Sequence, residues 1–284
     1  MSFAGSSSGG FESVRLDPLK CRDGSRPRVL LAEDSPAARV LTSALLKRIG
    51  CKVDAAEHGE EAVNYVKNSE YDLILMDIEM PVMDGVVAAK KIRTMGGVAS
   101  KTPIVALSAF LADTQKSAFW QKHFDIALAK PAGKQQLYET ISKILDIQTG
   151  DGGDLSKVPL EAALKPVEVE EQKLARILLN ICDADKFLLI KTASSEISKY
   201  ASELAISHHR KDRAAIGVAL HKLSGLSATF AAMALYNQVM AFRQELADNV
   251  VGDMTEKIQS ICECAERTAQ VLSEKTKDFS EVSA

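Results

Sequence analysis

The chain has 284 residues, 46% of them hydrophobic and 26% charged, with a formal net charge of −3. That length predicts about two domains of ordinary soluble composition, and the charge gives no electrostatic reason to expect nucleic acid or an anionic membrane as partner. No apolar run approaches the ~20 residues of a membrane span, and the N-terminus (MSFAGSSSGGFES) has neither the basic start nor the apolar core of a signal peptide. The five cysteines (Cys21, Cys51, Cys182, Cys262 and Cys264) are scattered and odd in number. This argues against a disulfide framework and for a reducing cytoplasm. Cys262 and Cys264 stand too close for zinc spacing and read as neutral helix positions.

Residues 1–26, rich in Ser and Gly and then mixed polar, read as a flexible tail. From Arg28 short apolar runs at 29–32, 53–56, 73–76, 104–107 and 126–129 alternate with longer amphipathic segments. Several runs are apolar at consecutive positions, as in strands buried on both faces. Ser35 and Pro36 supply a helix N-cap and first-turn proline, and Gly50 follows the last periodic residue. Five β-then-α units predict a doubly wound α/β domain over 27–147 with a five-stranded parallel sheet. Residues 148–167 read as a linker. Beyond it strand signals vanish, and 168–284 read as four or five amphipathic helices in an all-α antiparallel bundle, with turn signals near Asp183, 208–212 and 248–252.

Each apolar run of the first domain ends in a group able to do chemistry: Glu33 and Asp34, Asp77, Ser108, and Lys130 followed by Pro131. In open α/β sheets the ligand site lies beyond the strand carboxyl ends, where strand order reverses. In the flavodoxin-like order 2-1-3-4-5, Glu33, Asp34 and Asp77 converge. Three adjacent carboxylates repel one another unless a cation sits among them, and all-oxygen ligation suits Mg²⁺. The metal offsets the charge of a phosphoryl donor, with Asp77 as nucleophile. Lys130 can pair with the acyl phosphate and Ser108 can donate a hydrogen bond to it.

The segments AEDSP (32–36), LILMDIEMPVMDG (73–85), PIVALSA (103–109) and AKP (129–131) resemble, in order and spacing, a two-component response-regulator receiver domain over about 120 residues. The resemblance implies that Asp77 is the phosphorylation site. It also implies that Glu33, Asp34, Asp77 and the Glu79 main-chain carbonyl hold Mg²⁺. Receivers usually carry Tyr or Phe three residues before the lysine; Ala127 stands there, with Phe110 or Phe124 as substitutes or as plain core aromatics.

Of the five histidines (His58, His123, His208, His209 and His221), only His221 sits well inside a helix-length segment, with Gly217 and Gly225 four residues to either side. Glycines at i±4 leave its imidazole uncovered, at a helix cost of roughly 1 kcal/mol each. Access for another protein's active site would explain them; so would close helix packing. The segments DADKFLLIKTASSEISKYASEL, AIGVALHKLSGLSATFAAMAL and AFRQELAD resemble a histidine phosphotransfer (HPt) domain over about 168–275. The family's basic residue is replaced by Ser224 and its small residue by Leu226. Lys222, about 100° round the helix, reads as a poor stand-in. Ser224 offers a neutral hydrogen bond, and Arg243 or Gln244 could approach from the next helix.

Three functions compete. One is a phosphorelay protein whose Asp77 accepts phosphoryl from a sensor histidine kinase and whose His221 exchanges it with this or another receiver. Another is a phosphorylated receiver with a degenerate HPt fold that captures a partner without carrying phosphate, which Ser224 and Leu226 favour. A metal-dependent hydrolase is the weakest, because nothing marks a substrate pocket. No kinase nucleotide-binding segment is recognisable, so the phosphoryl donor is expected elsewhere, and the chain reads equally as the C-terminal part of a hybrid kinase. The expected location is the cytoplasm.

Overall fold

Five strands, β1 (Arg28–Ala32), β2 (Lys52–Ala56), β3 (Leu73–Asp77), β4 (Ile104–Ser108) and β5 (Ile126–Ala129), pair in parallel in the order β2-β1-β3-β4-β5. The computed structural model describes residues 16–108, 122–147, 171–179, 181–248 and 253–276. Every residue of β3 and β4 is buried, whereas the edge strands β2 and β5 are only partly so. That explains why the central runs are continuously apolar while β2 carries Lys52 and Asp54. Side chains alternate across the sheet. Leu31, Leu75, Val105, Leu107 and Leu128 face one core, and Leu30, Ile74, Met76, Ile104 and Ala106 face the other.

The helices α1 (Pro36–Arg48), α2 (Gly59–Asn68), α3 (Gly85–Arg93) and α4 (Lys134–Ile144) cover these faces. The predicted caps form: the Ala38 N–H donates to the Ser35 side chain, Pro36 opens α1, and Gly50 takes φ 106° just beyond its end. Gly50 is needed for a second reason, since a Cβ there would lie 2.7 Å from the Leu19 nitrogen.

That contact corrects the expected flexible tail. Leu19 is 1% exposed and its N–H donates to the Ile49 carbonyl at 2.8 Å. The segment from Leu16 to β1 is therefore held by two apolar anchors, Leu19 in the core and Leu16 packed partly buried against it. Residues 1–15, the linker and the helix expected between β4 and β5 lie outside the described residues.

The second domain is all-helical: α5 (Glu171–Leu178), α6 (Asp183–His209), α7 (Arg213–Thr229), α8 (Met233–Ala247) and α9 (Thr255–Lys275). The long α6 packs against α7 and α9, and α8 packs against both of these. The basic stretch 208–212 is the α6–α7 junction. The break between α7 and α8 at Phe230–Ala232 carries no Gly, Pro, Asn or Asp. The chain turns there on Ala231 at φ 57°, beside Phe230, which is fully buried. Helix α1 packs against α6 and α7, so the core on its side of the sheet runs on into the bundle. Among the described residues no helix is long and apolar enough to cross a membrane, and all five cysteines are free thiols. Burial pushes the Cys51 thiol up to about 12, which leaves it unreactive.

Candidate phosphoryl-transfer site

The strand ends bring the predicted residues together. Glu33 and Asp34 follow β1, Asp77 ends β3, Ser108 ends β4 and Lys130 follows β5. Glu33, Asp77 and Ser108 are buried, and one carboxylate oxygen from each of Glu33, Asp34 and Asp77 lies within 4.8 Å of the others. The Lys130 ammonium bridges Glu33 at 2.5 Å and Asp77 at 2.7 Å. The following loop is fixed by its own sequence: the Val87 N–H donates to the Asp84 carboxylate, which caps α3, and the Gly85 N–H donates to the Ile78 carbonyl at 2.8 Å. A Cβ on Gly85 would sit 2.0 Å from the Asp77 carbonyl oxygen, so only glycine lets the loop close behind the acid.

Burial raises the Glu33 carboxyl to about 7, helped by Asp77 and Asp34 and opposed by Lys130. Burial alone would depress Lys130, but the charges of Asp77 and Glu33 override it and hold the ammonium protonated. Within the receiver, Lys130 thus serves Glu33 and Asp77 and leaves Asp34 to another charge. The outer oxygen of Asp34, Oδ1, is buried and has no hydrogen-bond partner among the described residues. Three clustered carboxylate oxygens of this kind suit a small, hard cation.

The helical domain meets this pocket. His221, in α7, is covered rather than exposed: it lines one cavity with Glu33, Asp34, Asp77 and Lys130. The cavity measures about 20 Å³, room for roughly one water molecule. His221 Nδ1 lies 2.9 Å from the Glu79 carboxylate and 3.2 Å from an Arg243 nitrogen of α8. Arginine only donates, so a single Nδ1 cannot serve both. The Arg243 nitrogen also donates to Ser224 Oγ at 3.1 Å, and the neutral tautomer that fits the 2.9 Å carboxylate contact carries its proton on Nδ1, toward Glu79. Burial would raise the Glu79 carboxyl, but the His221 hydrogen bond and the nearby Arg243 and Lys222 outweigh it and hold it below its usual value. A Cβ added at Gly217 or Gly225 would meet nothing within 4 Å, so these glycines do not serve close helix packing.

One reading needs correction, and two others gain detail. Ser224 offers nothing outward: it is fully buried, and its hydroxyl donates to the His221 carbonyl at 2.7 Å while accepting from Arg243. The charge missing at position 224 comes instead from the next helix. Lys222, a poor stand-in for that charge by its angle, reaches instead into the acid pocket, where its ammonium bonds Asp34 Oδ2 and lies 3.3 Å from the Glu79 carbonyl oxygen. Phe124 is a buried core aromatic beside the partly buried Ala127; Phe110 lies outside the described residues. Glu196, on α6, was not anticipated. It accepts from the Ala37 N–H at 2.8 Å and from Ser35 Oγ at 3.2 Å, clamping α6 onto the first turn of α1. A glutamate within a long polar-and-apolar helix carries no sequence signal for such a contact. His58 is an N-cap of α2, and His208 and His209 end α6; none joins the site.

Residues 29–142 match the family model described as "Response regulator receiver domain". A two-component response regulator of Oryza sativa, ORR41, is 43% identical over 120 residues, which span 41% of this chain and 92% of that protein. The chain belongs to the response regulator receiver family. Over 220 residues, a longer stretch than the receiver, the chain is 31% identical to the sensor protein GacS of Pseudomonas syringae, an alignment covering 75% of this chain. It spans 24% of GacS, about a quarter of that relative's length. Among solved structures, the receiver domain of a sensor histidine kinase from Pseudomonas aeruginosa, holding magnesium in its active-site cleft, is 29% identical, with a TM-score of 0.39 over 43% of this chain and 99% of that one.

Proposed function

We propose that the chain is a two-component phosphorelay protein of the cytoplasm. Asp77 accepts a phosphoryl group and His221 exchanges it with a receiver, its own in the docked arrangement. The single observation that carries this reading is the shared cavity of His221 and the Asp77 pocket. The alignment with GacS, longer than the receiver itself, extends into the helical domain and supports a relay context. A sensor histidine kinase is the expected donor, and other receivers or HPt proteins the expected exchange partners.

The orphaned Asp34 oxygen and the three clustered carboxylates fit Mg²⁺, with Glu33, Asp34, Asp77 and the Glu79 carbonyl as its ligands. Bound there, the ion would neutralise phosphoryl oxygens during transfer. The chain's own groups do the rest. An Asp77 carboxylate oxygen attacks the donor's phosphorus, forming an O–P bond as the donor's bond breaks. Lys130 then pairs with the acyl phosphate and Ser108 donates to it. In the onward step His221 Nε2 attacks that phosphorus: the N–P bond forms, the P–O bond breaks and Asp77 leaves as a carboxylate. His221 Nδ1 keeps its proton throughout, donated in a hydrogen bond to the Glu79 carboxylate, and Arg243 supplies the positive charge beside the imidazole.

A second reading, a partner-binding module without phosphohistidine, is favoured by the smallness of the cavity and by Lys222 inside it. The test separates the two. Incubation with Mg²⁺ and a small acyl phosphate or cognate kinase should give base-labile label that Asp77→Asn abolishes, and acid-labile label that His221→Ala abolishes. Base-labile label persisting in Asp77→Asn would sink the acceptor assignment. Absence of acid-labile label while the receiver is phosphorylated would leave the binding module.

A further inference from the structure

The acid pocket already receives one cation that the phosphorelay reading does not use. Lys222 follows His221 on α7, and its side chain is 11% exposed. Its ammonium bonds Asp34 Oδ2 and approaches the Glu79 main-chain oxygen at 3.3 Å. These are two of the groups assigned above to Mg²⁺. Lys130, by contrast, holds Glu33 and Asp77 and leaves the Asp34 side of the pocket to another charge.

We infer that Lys222 is an internal competitor for the metal position: the docked helical domain and a divalent cation claim the same oxygens of Asp34 and Glu79. The inference rests on the Mg²⁺ assignment of the proposed function. An ammonium and a metal ion cannot both sit against one carboxylate oxygen and one carbonyl in a cavity of about 20 Å³. Two cations forced together there also repel strongly, since the surroundings are buried. Lysine suits this part because it is a point charge on a flexible stem, able to enter and withdraw without a fixed fork geometry. Withdrawal frees the ligands without moving Glu33, Asp77 or Lys130, which belong to the receiver itself. The metal therefore reports on the position of α7, and α7 reports on the metal, with one coupling free energy for both directions.

The experiment is Mg²⁺ binding to the full chain, titrated calorimetrically with the metal alone, in wild type, Lys222→Met and Lys222→Ala. Methionine keeps much of the side chain's length and apolar stem while removing the charge. If the lysine-bound state holds about nine-tenths of the molecules, apparent affinity in wild type is about tenfold weaker than in either variant. Circular dichroism establishes that both variants stay folded, and Asp34→Asn should remove binding in every background. Equal affinity in wild type and both variants overturns the competition while leaving the Mg²⁺ site standing. No binding in any of them overturns the Mg²⁺ assignment, and the competition with it.

Discussion

At Gly85 the backbone passes so close to the Asp77 carbonyl that a single methyl group has no place. Gly85→Ala is expected to cost ~1–3 kcal/mol by forced displacement of the loop, read by chemical denaturation, and to lower acyl-phosphate labelling by shifting Asp77. Arg243→Ala should spare labelling of Asp77 yet reduce acid-labile label about tenfold or more, since it removes the cation beside His221; equal labelling of variant and wild type would deny Arg243 that part. The legibility of these residues differs for a physical reason. Glu33, Asp34, Asp77, Ser108 and Lys130 could be read from sequence because each breaks an apolar strand at a fixed end, and strand order alone then gathers them. Arg243 was legible only as one of two neighbours on the next helix. The contact of Lys222 with Asp34 was not foreseen, because it depends on a surface of the other domain and helix angle says nothing about that.

Helix α1 has two duties: its N-terminus follows the acid pair, and it presents the surface on which the bundle sits. Ser35 caps the helix and also donates to Glu196 of α6. Ser35→Ala is expected to cost ~1 kcal/mol through the lost cap, and to loosen the α1–α6 contact as well, detected as faster amide hydrogen exchange at Ala37 than elsewhere in α1. The elements themselves were largely readable. The five strand runs, the α1 cap and the turn at 208–212 follow from apolar continuity and local punctuation. The α7–α8 turn was not, because burial of Phe230 rather than a turn residue holds Ala231 in a left-handed conformation. The anchoring of Leu16 and Leu19 was missed likewise: two leucines in a short polar stretch give no sustained period to detect.

For the whole molecule, the arrangement of the two domains lay beyond the sequence, since docking joins residues as far apart as Ala37 and Glu196. It should also respond to pH. Burial raises the Glu196 carboxyl above its ordinary 4.5, while the Ala37 N–H and Ser35 hydroxyl pull the other way, and its Oε1 is buried without a partner among the described residues. A carboxyl raised in the docked state favours docking when protonated. That contribution is full below the free value of 4.5 and is lost as pH rises through the docked value. Small-angle scattering across this range should show a more compact chain on the acid side, and Glu196→Gln should flatten the part of the trend that Glu196 supplies. An unchanged pH dependence in that variant would assign it to the acid pocket instead.

Because His221 and Asp77 belong to one chain, their encounter is governed by tethering rather than by abundance. A short connection presents a tethered domain at an effective concentration of order millimolar. On the relay reading, a separate phosphotransfer protein present at micromolar levels would reach Asp77 only when the resident helix has stepped away. On that reading the face that α7 covers is a gate on signal traffic: whatever releases the helix would decide when the receiver can converse with the rest of the cell.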